Sequence, residues 1–250
     1  MIEIEENILN NQILDNNTIS LEELFILHNL NYNLEFLIIS MPKTGTNYIE
    51  NYLLHLGIYD FIKIHSMIEL SYIDERFLQY SVNDLIHFVS SKTTYEKLHI
   101  IWSHREPLSR YISRYLWDIK VYNIPYNILE NITEINSDDI FESIKNYDYD
   151  LCVGFLKYYN LNINNYKFDV NNGYTIIPYN EKINFIFTEM TQISKFVYNY
   201  FNMNEIIELG DDKKNKTEKN HKIITFDNKY KTIIYENEKE FVNFYAYLHD

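Results

Sequence analysis

Leu34-Glu35-Phe36-Leu37-Ile38-Ile39-Ser40-Met41-Pro42-Lys43-Thr44-Gly45-Thr46 decides the fold. Its first half is a short, mostly apolar run, as expected of a central strand buried on both faces, and Pro42 with Gly45 ends it. Beyond the turn, Ile49, Tyr52, Leu53 and Leu56 fall at helical spacing and Gly57 supplies a stop, so the stretch reads as strand, tight loop, helix. Open parallel sheets bind ligands at such loops. Exposed backbone N–H groups and the helix dipole favour an anion there. Gly45 allows close backbone approach, and Lys43 with the hydroxyls of Thr44 and Thr46 adds donors. This is not a Walker loop, in which the Lys follows the last Gly, because Lys43 precedes Gly45.

Outward from this stretch, Tyr59 to Ile64 supplies a second strand, and Leu98-His99-Ile100-Ile101-Trp102-Ser103 reads as a further buried one. Pro107 then suits a first helical turn, with Leu108, Ile112, Tyr115, Leu116 and Ile119 as one apolar stripe and Arg110, Ser113, Arg114 and Trp117 on another face. Ile183 to Phe187 gives a late strand, followed by a helix carrying Ile193, Phe196, Val197, Tyr200 and Phe201. Upstream, Ser20 and Glu23 form a capping-box pattern before Leu24, Phe25 and Leu27, so residues 1–33 are expected to cover the core entrance with a short helix. Residues 210–222 have no apolar periodicity and read as a polar loop or flap. Phe241 to Tyr245 have enough aromatics to dock as a closing helix. The expectation is one α/β domain over residues 1–250, three layers (α/β/α) around a central, mostly parallel sheet.

Bulk composition narrows the function. With 22 Lys plus Arg against 36 Asp plus Glu, a formal charge of -14 argues against a polyanionic partner such as nucleic acid, but not against a small anion met by a few converging donors. One cysteine, Cys152, makes neither an intrachain disulfide nor a Cys/His zinc cluster, and no metal site is expected. The acidic start MIEIEENILNNQ lacks the basic and apolar regions of a signal peptide, and no run approaches about 18 apolar residues. The expectation is a soluble, cytoplasmic protein without a membrane segment.

Two further elements carry chemistry. Arg105-Glu106-Pro107-Leu108-Ser109-Arg110-Tyr111-Ile112-Ser113 also leaves a buried strand and enters a helix, and Phe185-Ile186-Phe187-Thr188-Glu189-Met190 leads into the late helix. The loop from Pro42 to Thr46 resembles the phosphosulfate-binding loop of sulfotransferases, P-K-[ST]-G-[ST]. Arg105 and Ser113 keep the spacing of that family's R-[DN]-P element with its later Ser, although Glu106 departs from the usual Asp or Asn. The late strand resembles the family's [YL]-E-[DN]-[LM], whose role is mainly architectural. A looser similarity, through Lys43 to Thr46, His65-Ser66 and Gly173-Tyr174, is to a bacterial group of capsular polysaccharide synthesis proteins.

The resemblance implies a P-loop NTPase-like sulfotransferase fold and transfer of a sulfuryl group from 3′-phosphoadenosine 5′-phosphosulfate to a hydroxyl, the looser similarity pointing to a glycan. Lys43 would stabilise the leaving phosphate oxygen, Pro42, Thr44, Gly45, Thr46 and Asn47 would surround the phosphosulfate, and Arg105 with Ser113 would hold the 3′-phosphate. Lys63-Ile64-His65 resembles K-[TS]-H of cytosolic sulfotransferases, which makes His65 the base; Glu50 or Glu69 are the alternatives, since glycan sulfotransferases often use Glu. Lys213, Lys214, Lys216 and Lys219 either close over the nucleotide, as a late basic loop does in the family, or form a solvated charge run, the plainer reading. Tyr158, Tyr159, Tyr166 and Tyr174 either stack on sugars or pack the core. The rival reading is a catalytically silent nucleotide- or glycan-binding protein on the same fold; a nucleotide kinase would require the Walker Lys and a Mg²⁺-binding carboxylate.

Overall fold

The strands β1 (Phe36–Ile39), β2 (Phe61–Ile64), β3 (Leu98–His104), β4 (Tyr174–Pro178) and β5 (Ile183–Glu189) form one five-stranded sheet in the order β2-β1-β3-β5-β4. The structure is a computed structural model that describes residues 19–40, 43–113, 155–203 and 228–248. β1 pairs in parallel with β2 and β3, and β3 pairs in parallel with β5. Only β4 runs the other way, joined to β5 as a hairpin through residues 179–182. The sheet is therefore mixed and mostly parallel, as expected.

Period-two alternation divides the strands between two cores. Phe36, Ile38, Ile101 and Ile186 point to one face, where α2 (Thr46–His55) lies. Leu37, Ile39, Ile100, Trp102, Phe185 and Phe187 point to the other, beneath α1 (Leu21–Leu27), the helical turn of α3 (Ile68–Ser71) and α4 (Val82–Lys92). Burial on both faces explains why β1, β3 and β5 read as nearly continuous apolar runs. Residues 107–113 form α5 and residues 155–158 form α6. Then α7 (Ile193–Tyr200) packs beside α2, and α9 (Lys239–Phe244), which follows α8 (Asn228–Asn237), closes the second core through Phe241 and Phe244.

Several local expectations hold. Ser20 and Glu23 form both bonds of a capping box, and Leu21, Leu24 and Phe25 are buried. Leu27, expected on the buried face, is exposed. On α5 the deep positions are Pro107, Arg110 and Tyr111, while the expected stripe residues Leu108 and Ile112 are half-buried. Tyr115, Leu116 and Ile119, like residues 1–18 and the 210–222 loop with its lysines, lie outside the described residues. The structure adds α4, with a capping box from Ser81 and Asp84, and the edge strand β4.

Candidate active site

Strand order places the site. From β1 the chain passes through α2 to β2 on one side and then crosses by α3 and α4 to β3 on the other. The ends of β1 and β3 thus flank the point where strand order reverses, where the crevice of an open α/β sheet binds ligands. The loop of Lys43 to Thr46 follows β1, Arg105 follows β3, and His65 follows β2.

The β1 loop is braced from two strands. Thr44 is fully buried, its Oγ1 lies 3.0 Å from Ser40 Oγ, and its carbonyl accepts the hydroxyl of Ser103 from β3. The Thr44 hydroxyl, expected as an anion donor, is turned inward and helps to fix the loop. Lys43 has φ 68°, a left-handed conformation in which a side chain is costly. Gly45 has φ 88°, and a Cβ there would meet Ile193 Cδ1 at 2.6 Å. Its lack of a side chain serves the close approach of α7 to the loop.

Gly45 is also the N-cap of α2, without a side-chain cap. Tyr48 N of the first turn donates to the Gly45 carbonyl at 2.9 Å, so the amides of Thr46 and Asn47, with the helix dipole, are the donors suited to an anion. Thr46 is buried at the first position, and Asn47 is exposed with its Oδ1 accepting from Lys63 Nζ at 2.8 Å. Pro42 lies outside the described residues.

Arg105 is half-buried, and among the described residues its guanidinium makes one long hydrogen bond, Nη1 to the Lys43 carbonyl at 3.4 Å, and no ion pair. Burial pulls its pKa below the ordinary guanidinium value, opposed by the charges of Glu106 and Glu189 and assisted by that of Arg110. Both carboxylates are engaged elsewhere. Glu106 Oε1 accepts from Leu108 N at 3.0 Å and from the Tyr235 hydroxyl at 2.6 Å, and Oε2 accepts from Ser109 N at 2.7 Å. Glu189 Oε2 accepts from the backbone N–H of Thr191 at 2.6 Å and from its hydroxyl. Glu106 thus caps α5 as an Asp or Asn would, which accounts for its departure from the motif. Burial would raise its pKa, but the bonds from Tyr235, Ser109 and Leu108 outweigh that and hold it below the usual carboxylate value. Ser113 is half-buried on the second turn of α5.

His65 is anchored at two atoms. Its Nδ1 lies 2.6 Å from the Ser40 carbonyl, and its backbone N–H donates to Glu69 Oε2, which also accepts from Ser66 N at 3.4 Å. Glu50 accepts from Lys63 Nζ. Both alternative carboxylates are therefore engaged, Glu69 with amides and Glu50 with an ammonium.

Other candidates fall into place away from the site. Tyr159 is buried against Phe155 and Phe185, so it belongs to the core, and Tyr174 packs on Phe196 and Tyr200. Tyr158 and Tyr166 are exposed. His104 is buried between the rings of Phe241 and Tyr245, and His99 Nδ1 lies 3.1 Å from the Tyr200 hydroxyl, as expected of structural histidines. Sequence reading missed the braces Ser40 and Ser103, each of which follows or ends an apolar run, and the C-terminal partners Tyr235 and Glu238, for which no local signal exists. Among the described residues no group of three or more His, Cys, Asp or Glu is placed to hold a metal ion, and no helix is long and apolar enough to cross a membrane. No protein-family model matches the chain, and none of the curated proteins or solved structures compared with it does.

Proposed function

We propose that the chain is a sulfotransferase, moving the sulfuryl group of 3′-phosphoadenosine 5′-phosphosulfate to a hydroxyl, with a glycan as the acceptor class. The observation that carries this reading is Arg105. A half-buried guanidinium without a carboxylate partner among the described residues, beside the N-terminus of α2 and at the reversal of strand order, is suited to an anionic ligand with charge at two places. In this reading the first-turn amides of α2 and Lys43 receive the phosphosulfate, and Arg105 with Ser113 receives the 3′-phosphate. The acceptor oxygen attacks sulfur in line, its proton passes to Nε2 of His65, and the bond between sulfur and the bridging phosphate oxygen breaks as Lys43 stabilises the charge left there.

Calorimetry with 3′-phosphoadenosine 5′-phosphate, AMP and ATP tests the donor site, and sulfate transfer from the labelled donor to a panel of glycans tests the reaction. Preference for the 3′-phosphorylated nucleotide together with a sulfated glycan is expected. Equal affinity for all three nucleotides overturns the 3′-phosphate assignment. Tight binding without transfer to any hydroxyl favours a silent nucleotide-binding protein.

A further inference from the structure

That Arg105 forms no ion pair among the described residues needs an explanation, because it adjoins Glu106 in the chain and Glu189 acts on it electrostatically. A half-buried guanidinium next to a carboxylate ordinarily pairs with it. Glu189 is buried and held by Thr191 of the turn that follows its strand. Glu106 is different, since its holding depends on a distant element: besides the α5 amides, Oε1 takes the hydroxyl of Tyr235 from α8, 129 residues along the chain. The remainder of the C-terminal pair is fastened firmly to the same region. Arg110 of α5 donates from both Nη atoms to Glu238, and the Tyr245 hydroxyl donates to the Thr188 carbonyl at 3.0 Å. Glu238, directly after α8, and Tyr245, directly after α9, thus tie this segment to α5 and β5, and Tyr235 of α8 meets the arginine-bearing turn.

We propose that Tyr235 is a positioning residue that keeps Arg105 available to an anionic ligand by restraining Glu106 on the first amides of α5. Without the phenol hydroxyl, Oε1 loses its shortest hydrogen bond in a half-buried setting, and Arg105 is the cation at hand. Glu106 then turns toward Arg105, and the resulting ion pair competes with the ligand. The proposal rests on Arg105 being the phosphate ligand; the restraint itself is a property of the ligand-free protein and is measurable without nucleotide.

The test uses the full chain as wild type, Tyr235→Phe, Glu106→Gln and the double variant. Calorimetry with 3′-phosphoadenosine 5′-phosphate and with AMP should show the preference for the former falling about 10-fold in Tyr235→Phe, the scale of one charge-assisted hydrogen bond. Most of it should return in the double variant, because Gln still caps the helix but cannot form an ion pair. A merely structural tyrosine would give a loss that Glu106→Gln does not repair, and that result overturns the proposal. In parallel, the Arg105 Nε–H resonance of the free protein should shift on Tyr235→Phe and revert in the double variant. An unmoved resonance overturns the proposal whatever the nucleotide data. Failure of the wild type to distinguish the two nucleotides, with the resonance shift present, overturns the phosphate assignment of Arg105 and leaves the restraint by Tyr235 standing.

Discussion

His65 Nδ1 lies 2.6 Å from the carbonyl oxygen of Ser40, the residue that follows the first strand. A carbonyl only accepts, so Nδ1 carries the proton, and in the neutral imidazole Nε2 is left as the basic atom. Two strand ends thus select the tautomer that a general base requires.

His65→Ala is therefore expected to lower turnover by about 10²- to 10⁴-fold, the usual contribution of a general base, while nucleotide affinity stays near wild type. Steady-state kinetics with calorimetry separates these quantities. An active His65→Ala enzyme together with an inactive Glu69→Gln or Glu50→Gln enzyme would move the base to that carboxylate. Glu69→Gln should instead show a partial loss, since the amide oxygen still accepts from the His65 and Ser66 N–H groups.

Gly45→Ala should destabilise the protein even though the new methyl group is far from polar. Its Cβ would lie 2.6 Å from Ile193 Cδ1 and 3.1 Å from Met190 Cγ, and the φ of 88° is unfavourable to any side chain. A loss of about 1–3 kcal/mol in a denaturant melt is expected, the scale of overpacking plus a left-handed residue. Ile193→Val in the same background should recover part of it, because the contact is with the atom that this change removes. No recovery would mean that backbone conformation alone sets the penalty.

The central strands were readable because burial on both faces turns Phe36–Ile39 and Ile183–Phe187 into apolar runs that no other element explains well. The position of the site followed, since Lys43, Gly45 and Arg105 sit where such strands end. The edge strand β4 was not readable: it is half exposed, it ends at Pro178, and its pairing with β5 depends on a turn over residues 179–182 that periodicity does not reveal. Equally hidden were the contacts of Glu106 with Tyr235 and of Arg110 with Glu238, whose sequence separations are 129 and 128 residues. Thr44 shows a different side of the loop pattern. A hydroxyl in a phosphate loop pattern serves a ligand or the loop equally well by residue type, and here it meets Ser40.

Arg110 and Glu238 form an ion pair with side-chain exposures of 0% and 4%. Removing one partner of a buried pair leaves an uncompensated charge at a cost of about 3–5 kcal/mol. Arg110→Ala is consequently expected to lower the thermal midpoint strongly, and it is unsuited as a neutral control for Arg105→Ala. Arg110→Met with Glu238→Leu should be far less damaging than either single change, which a double-mutant cycle by chemical denaturation checks. Additive losses in the cycle would show that the two side chains act independently.

Glu106 makes stability depend on pH. Its folded pKa is held below the ordinary value of 4.5, so its contribution is fully present above that value and is lost as pH falls through the lowered folded value. Glu106→Gln should therefore be less stable than wild type at neutral pH, and the difference between the two should narrow below about pH 4. Urea midpoints measured from pH 7 downward provide the test. A difference that stays constant over this range would mean that the cap, rather than the charge, carries the effect.

Lys43 separates strain from chemistry. Its φ of 68° belongs to the left-handed region, which costs a residue with a Cβ about 1–2 kcal/mol, partly offset in a comparison with Gly by the larger backbone entropy of Gly in the unfolded chain. Lys43→Gly should accordingly be as stable as wild type or slightly more so, whereas Lys43→Ala keeps the strain and gains nothing. If the ammonium stabilises the leaving phosphate, both variants should lose about two to three orders of magnitude in turnover, the scale seen when one donor to a developing anion is removed. Both should also bind nucleotide more weakly, since the ammonium already meets the ground-state anion, in contrast to His65→Ala. Thermal melts, calorimetry and turnover on the same preparations give the three readings. A Lys43→Gly enzyme active within tenfold of wild type would remove Lys43 from the reaction, and strain at this position would then lack a functional counterpart.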